Sequence, residues 1–398
     1  MRVLLSTYGS RGDVEPLAGL AVELRKAGAE VAVCAPPDDD FVRRLAAVGV
    51  ELVPVGPSAR AWTKAAPPSS TMSQRAAYLI AGQLEVIPEA AKGCDAMVVT
   101  GMMPAAAGAL SVAEKLGIRS VSVTFQQLTL PAPNHPPLAY QGRPFPPEVT
   151  NNQELRKLDA QSNNELFRQV LDTNRETIGL PPVDDVRNYV IGNRPWLATD
   201  PTLDPTELDV VQTGAWILPD DRPLQDDLEA FLKAGEPPVY VGFGSMPVRQ
   251  TDAAQVAIAA IRAQGRRAIL KSGWADLALV DDQDDCIAVD EVNQQKLFGR
   301  VAAIVHHGGA GTTTTATRAG RPQVVVPQLA DQPYWAGRVA ELGIGVAHDG
   351  AIPTVESLSA ALEAALAPDT AVRAASLKNE IRTDGAAVAA KLLLEGSH

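Results

Sequence analysis

Cysteine is scarce: Cys34, Cys94 and Cys286 are the only three in 398 residues. They lie too far apart for a disulfide framework or for paired metal-ligand spacing, and a reducing, cytoplasmic location is expected. Basic charge is also short. The 35 Lys and Arg stand against 47 Asp and Glu, a formal charge of −12. A nucleic-acid partner is therefore disfavoured, because no basic surplus exists to neutralise a phosphate backbone. No apolar run approaches a membrane span. No signal-peptide pattern precedes Val3-Leu4-Leu5, which reads as a first core strand. No Asp/Glu/His cluster suggests a structural cation, so no metal is expected.

What remains is an ordinary globular composition, 46% hydrophobic and 21% charged. A chain of this length predicts two domains of about 150–200 residues each. Short β-branched runs alternate with Ala/Leu-rich stretches. Strands are expected at 2–6, 30–34, 51–55, 96–100 and 120–124, with helices at 16–27, 41–48, 74–91 and 105–116 between them. The rhythm restarts after residue 235, with strands at 239–243, 268–271, 286–289, 303–305 and 323–326. Strand–helix alternation indicates βαβ units and parallel sheets covered on both faces. The reading is an α/β protein with two doubly wound domains. Residues 1–199 form an N-terminal domain, 200–226 a Pro- and Asp-rich linker, and 227–378 a C-terminal domain. Residues 379–398 hold a last helix that could pack on the N-terminal domain. Two stretches break the rhythm. Residues 58–70 are rich in Ala, Pro and Ser, and residues 131–147 hold seven prolines in seventeen positions. Neither is expected to be helix or central strand, and long irregular loops of this kind shape variable ligand sites.

The richest segment is His306-His307-Gly308-Gly309-Ala310-Gly311-Thr312-Thr313-Thr314, between an apolar strand and a helix. A strand, a Gly-rich turn and a helix N-terminus make an anion site, because glycine lets the backbone approach and free amides and the helix dipole attract phosphate. His306 is expected to pack at the strand end, and His307 to face the ligand. A second strand–turn–helix site is Gly9-Ser10-Arg11-Gly12-Asp13-Val14-Glu15-Pro16. Asp13 there is either a helix-start acid or a functional carboxylate at a strand's C-terminal edge. The spacing does not match G-x-G-x-x-G, which disfavours a dinucleotide site. Gly244-Ser245 is another strand-end turn. Asp331-Gln332 pairs an acceptor with a donor/acceptor, a combination that suits vicinal sugar hydroxyls or merely caps a helix. Trp274 follows a strand and could offer its face to a planar ring or pack between domains. Together these sites suggest a cleft holding a flat base, a diphosphate and a sugar.

His307-Gly308-Gly309-x-Gly311-Thr312 followed by Asp331-Gln332 resembles the donor signature of nucleotide-sugar glycosyltransferases of the GT-B fold, two Rossmann-like domains facing each other across a cleft. The Gly9–Pro16 segment is similar to the N-terminal signature of the bacterial branch. Cys34-Ala35-Pro36-Pro37, Ile178-Gly179-Leu180-Pro181-Pro182-Val183 and Val211-Gln212-Thr213-Gly214-Ala215-Trp216 resemble the actinobacterial glycosyltransferases that decorate glycopeptide antibiotics. The likeness is weakest at 58–75 and 124–174, the stretches that would face the acceptor.

The resemblance implies an inverting, metal-independent transfer from a UDP- or dTDP-linked sugar to a hydroxyl of a hydrophobic natural product, with no cofactor beyond that co-substrate. It implies Asp13 as general base. Ser10, Ser245, His307, Gly309, Gly311 and Thr312 would be diphosphate contacts, Trp274 and Val292 the nucleobase pocket, and Asp331 and Gln332 the sugar contacts. A glycopeptide aglycone is the expected acceptor and a monomer the expected state. Macrolide, polyketide or sterol acceptors use the same fingerprint. A non-catalytic sugar-nucleotide-binding helper is the other class, but such a protein should have lost Asp13, His307, Asp331 or Gln332, and all are present.

Overall fold

Val3, Leu4 and Leu5 are all fully buried, though consecutive strand residues point to opposite faces. Both faces of their sheet must therefore be covered, as in parallel α/β sheets. The computed structural model, which describes residues 1–65, 71–140, 142–244, 252–272 and 283–396, shows how. Val3 and Leu5 pack with Leu17, Leu20 and Leu24 of the helix Arg11–Lys26 and with Leu393 of the helix Gly385–Glu395. Leu4 packs on the other face with Ile87 and with Ala109 and Ala113 of the helix Met103–Leu116.

The strands of the first sheet are β1 (Arg2–Tyr8), β2 (Glu30–Ala35), β3 (Glu51–Pro54), β4 (Ala96–Gly101), β5 (Arg119–Thr124), β6 (Trp196–Leu197) and β7 (Val211–Gln212). They pair in parallel in the order β3-β2-β1-β4-β5-β6-β7. The second sheet holds β8 (Val239–Gly242), β9 (Ala268–Lys271), β10 (Cys286–Val289), β11 (Ala303–His306), β12 (Gln323–Val325) and β13 (Gly345–Ala347). Its order is β10-β9-β8-β11-β12-β13, again parallel. In that sheet Val241 and Val305 pack with Ile258 and Leu362 on one face, while Tyr240 and Ile304 pack with Phe298 and Ala316 on the other. Each sheet reverses its strand order once, between β1 and β4 and between β8 and β11. Ligands of open α/β sheets bind outside the carboxyl ends of the strands at such points.

The chain divides into two compact units: Met1–Leu218 with the chain from Thr383 onward, and Pro219–Arg382. Residues 200–218, which composition suggests as linker, are folded into the first unit. They carry β7, and Trp216 and Leu218 are buried in its core beside Val3 and Leu5. The 58–70 stretch, expected as loop, contains the helix Ala59–Ala65. No proline falls inside that span, and its start is capped from a distance. The Asp38 carboxylate accepts from the Ala59 and Arg60 amides at 2.7 and 3.0 Å, and Ser58 Oγ accepts from the Ala61 amide. The expectation failed because Asp38 is not local in sequence.

Candidate active site

At the end of β1 the chain turns at Gly9 and enters its helix at Arg11, five residues before the Pro16 that sequence reading placed at the helix start. Pro16 lies within the helix, where its missing N–H removes the bond to the Gly12 carbonyl. What starts the helix is a capping box. Ser10 Oγ accepts from the Gly12 amide at 3.1 Å, and the Asp13 carboxylate accepts from the Ser10 amide at 2.7 Å and from Ser10 Oγ at 3.2 Å. Asp13 thus sits in the first helical turn, partly exposed, with one oxygen fixed from behind. A β-carbon at position 9 would stand 2.2 Å from Asp13 Oδ2, so Gly9 is what admits the carboxylate. Both readings of Asp13 meet here: it is a helix-start acid, and it is a positioned carboxylate at the switch point of the first sheet.

The same edge carries exposed apolar groups. The Met102 amide donates to the Tyr8 carbonyl, and Met102 is 45% exposed. Tyr8 donates from its hydroxyl to the Pro57 carbonyl at 3.1 Å and packs with Leu79 and Ala105. Next to Leu79, Tyr78 is 56% exposed and stacks on Trp62 at 5.4 Å between centroids. Burial is the first cause, and nearby Asp38 and Tyr78 the next, of the upward push on the Tyr8 hydroxyl pKa.

In the second unit β11 ends in the Gly-rich turn and the helix Ala310–Arg318. Its N-cap is Gly309, which has no side chain to cap the first turn. Among the described residues the opening amides have no side-chain partner. Gly311 is exposed, and a β-carbon there would meet nothing within 4 Å. Packing does not require glycine at that position; a ligand approaching the backbone would. Thr313, Thr314, Thr315 and Thr317 donate back to the carbonyls four residues earlier. Among the described residues Thr312 makes no such bond, and it stands on the first turn.

The His307 ring is wedged between two glycines. A β-carbon at Gly244 would lie 2.6 Å from its Cε1, and one at Gly309 would lie 2.6 Å from its Nε2. Gly244 also has a φ of +71°, a region that side chains resist. Burial first, and the Lys271 ammonium second, push the His307 pKa down to about 4. The Gly242 backbone opposes the shift, but Nδ1 is buried and reaches no partner of ordinary hydrogen-bond geometry among the described residues. Burial and Lys271 thus disfavour the imidazolium, so the ring would meet a ligand as a neutral imidazole rather than as a charge. Gly244→Ala should disturb this seat, adding a clash of the kind that costs about 1–3 kcal/mol. If the ring holds the donor, as the resemblance implies, the expected result is a rise in donor KM of about 5- to 140-fold with acceptor KM unchanged. Steady-state kinetics with each substrate varied checks it, and an unchanged donor KM would count against the seat.

Asp331 and Gln332 lie at the same edge. A β-carbon at Gly308 would come 3.0 Å from the Gln332 carbonyl, which ties the turn to the helix Gln332–Glu341. Asp331 Oδ2 accepts from the Trp335 indole N–H at 2.7 Å. Gln332 is only 5% exposed, and its Oε1 accepts from the Gln328 and Leu329 amides at 2.7 and 3.1 Å. Its acceptor is spent on the loop, so its contribution to a ligand is as a donor. That loop holds Ala330 at φ 54°, the one positive φ outside glycine among the described residues. Val292 is 8% exposed and belongs to the core around Tyr240 and Phe298, so its side chain offers no open surface to a base. Ser245 and Trp274 lie outside the described residues. Sequence reading passed over Lys271, which ends β9 and acts on His307, and Gly244 as the seat of that ring. A lysine at a strand end carries no pattern distinguishing it from a surface lysine.

The glycosyltransferase family 28 N-terminal domain matches residues 3–130, and the erythromycin biosynthesis protein CIII-like C-terminal domain matches residues 275–390. Glycosyltransferase GtfE of Amycolatopsis orientalis is 57% identical over 402 residues, spanning 99% of this chain and 97% of that one.

The chain belongs to this GT-B glycosyltransferase family.

A second relative of this glycosyltransferase, the vancomycin aglycone glucosyltransferase of the same organism, is 55% identical over 400 residues, covering 99% and 97% of the two chains. Among solved structures, the glycosyltransferase of kitacinnamycin superposes with a TM-score of 0.73 at 21% identity, covering 99% of this chain and 98% of that one. VinC in complex with dTDP superposes with a TM-score of 0.68 at 24% identity, covering 96% and 95%. At those identities the likeness concerns the fold. The protein is an inverting nucleotide-sugar glycosyltransferase. Among its described residues no group of three or more His, Cys, Asp or Glu is placed to hold a metal ion, and no helix is long and apolar enough to cross a membrane.

Proposed function

We propose that this glycosyltransferase moves a hexose or deoxyhexose from a UDP- or dTDP-linked donor to a hydroxyl of a glycopeptide aglycone, as a cytoplasmic monomer in antibiotic biosynthesis. The observation that carries the donor half is the helix N-terminus at Gly309, uncapped by any side chain among the described residues and opened by an exposed Gly311. The relative that acts on vancomycin aglycone supports the acceptor. The diphosphate lies against the amides of residues 309–312, the Thr312 hydroxyl and the His307 ring, with Ser10 and Ser245 as further contacts. Trp274 and the Val292 backbone border the base. Asp331 accepts from the sugar hydroxyls, and Gln332 donates to them.

In the reaction Asp13 takes the proton of the acceptor hydroxyl. The hydroxyl oxygen forms its bond to the anomeric carbon as the bond to the β-phosphate oxygen breaks, and that electron pair leaves with the nucleoside diphosphate. The turn's amides and hydroxyls stabilise the charge that develops there. Trp62, Tyr78 and Met102 give the acceptor a flat apolar wall beside the base. An aromatic contact of this kind is worth about 0.5–1.5 kcal/mol. Tyr78→Ala should accordingly raise the acceptor KM about 3- to 10-fold and leave the donor KM alone, and a shift confined to the donor KM would refute the wall.

The reading as a whole is tested by mass spectrometry on a matrix of UDP- and dTDP-sugars against glycopeptide, macrolide, polyketide and sterol acceptors. A product carrying one hexose on a glycopeptide aglycone is expected. Transfer confined to another acceptor class corrects the acceptor. Donor binding without any transfer identifies the helper protein instead.

A further inference from the structure

His306 is 0% exposed at the end of β11, and the role expected for it is packing. Packing does not account for its hydrogen bonds. Its Nδ1 accepts from the Gly308 amide at 3.1 Å, and its Nε2 pairs with Gln323 Oε1 at 2.9 Å. Since Nδ1 accepts, a neutral ring must carry its hydrogen on Nε2 and donate it to Gln323. Gln323 is oriented in turn, because its Nε2 donates to Thr317 Oγ1 at 3.0 Å and Thr317 donates to the Thr313 carbonyl at 2.9 Å. The chain of donors runs from the Gly308 amide of the turn, through the ring on β11 and Gln323 on β12, and ends on the Thr313 carbonyl of the helix Ala310–Arg318. Every hydrogen in it has one direction. Gly308 has φ +90°, and a β-carbon there would strike Val325 Cγ1 at 2.7 Å. The turn is thus built around the amide that His306 holds.

We propose that His306 is a positioning residue for the donor: locked by Gln323 as its Nε2–H tautomer, it holds the Gly308 amide on Nδ1 and so sets the aim of the amides from Gly309 to Thr312. This rests on the reading of that turn as the diphosphate site. Burial keeps the ring neutral, with a pKa pushed down to about 3. Gln323 on β12 and Thr317 on the helix face the ring without charge. Among the described residues the one titratable group acting on it is His307, itself neutral.

Gln323→Glu converts the lock into a switch. A carboxylate against Nε2 favours the imidazolium, and an imidazolium has a hydrogen on Nδ1, donor facing donor at the Gly308 amide. UDP and dTDP binding is measured by calorimetry from pH 8.5 to 6.0, taking the ratio of variant to parent Kd at each pH. This ratio should climb as pH falls, by up to about tenfold per pH unit for one linked proton. Saturated turnover at pH 8.5 should stay within about threefold of the parent. Gln323→Met releases the tautomer without adding charge, and should weaken binding by a factor independent of pH. Nitrogen-15 spectra of the parent should show a bare Nδ1 on His306. A protonated Nδ1, a Gln323→Glu ratio flat with pH, or a Gln323→Met variant that binds like the parent overturns the proposal. If Gln323→Glu does not fold, the other two measurements decide. A parent that binds neither nucleotide overturns the diphosphate reading instead.

Discussion

Asp13→Asn lowers turnover by about 10²–10⁴, the usual contribution of a positioned general base. Nucleoside diphosphate affinity stays near that of the parent, because the Asn oxygen can still accept from the Ser10 amide and leave the proposed diphosphate contacts in place. The choice of Asn matters. Asp13 also closes the capping box, with its oxygen on the Ser10 amide at 2.7 Å. The Asn carbonyl oxygen can still accept that bond, so the helix start survives while the base is lost. Ala would delete the box as well, at about 1 kcal/mol per hydrogen bond, and would mix stability with chemistry. Turnover measured at saturating donor and acceptor, with calorimetry for the diphosphate and a thermal melt for the fold, separates the three effects. Near-normal turnover in Asp13→Asn leaves the carboxylate with its capping role alone.

His307→Ala carries the second largest effect, a loss of about 10²–10³ in kcat/KM for the donor. In the proposed reading the neutral imidazole lies against the leaving diphosphate, and its removal also empties the slot between Gly244 and Gly309. Both consequences fall on the donor, so the acceptor KM should hold. A loss below about tenfold, or one shared equally by both substrates, would make His307 a packing residue.

Much of the fold is legible in the sequence because every core strand is covered on both faces. Continuous apolar runs such as Val3-Leu4-Leu5 and Val239-Tyr240-Val241 then stand out against Ala-rich helices. The two-residue strands β6 and β7 carry too few residues for any periodicity, and they exist through pairing, β6 with β5 and β7 with β6, rather than through their own pattern. The helix start at Ser10 hides behind Pro16, whose usual place is the first turn. At the site, the Gly-rich turn and the strand-end place of His306 are legible, but the hydrogen bonds that His306 makes to Gly308 and Gln323 are not. His306 and His307 are adjacent and identical. Register alone puts one in the core as an acceptor for Gly308 and the other between two glycines. Gln332 reads as a sugar contact, and most of its side chain serves the loop before it, since the amides it accepts from lie at 328 and 329. Hydrogen bonds among neighbours of one turn leave no spacing that separates structure from binding.

In the proposed single displacement Asp13 receives the acceptor proton and the helix start at Gly309 holds the departing diphosphate. The anomeric configuration of the product, read from proton NMR coupling after transfer from an α-linked UDP- or dTDP-sugar, decides whether it occurs. A β-linked product is expected from the parent enzyme, with the same product formed far more slowly by Asp13→Asn. An α-linked product would require a covalent sugar–enzyme intermediate or another retaining route, and would rule the single displacement out.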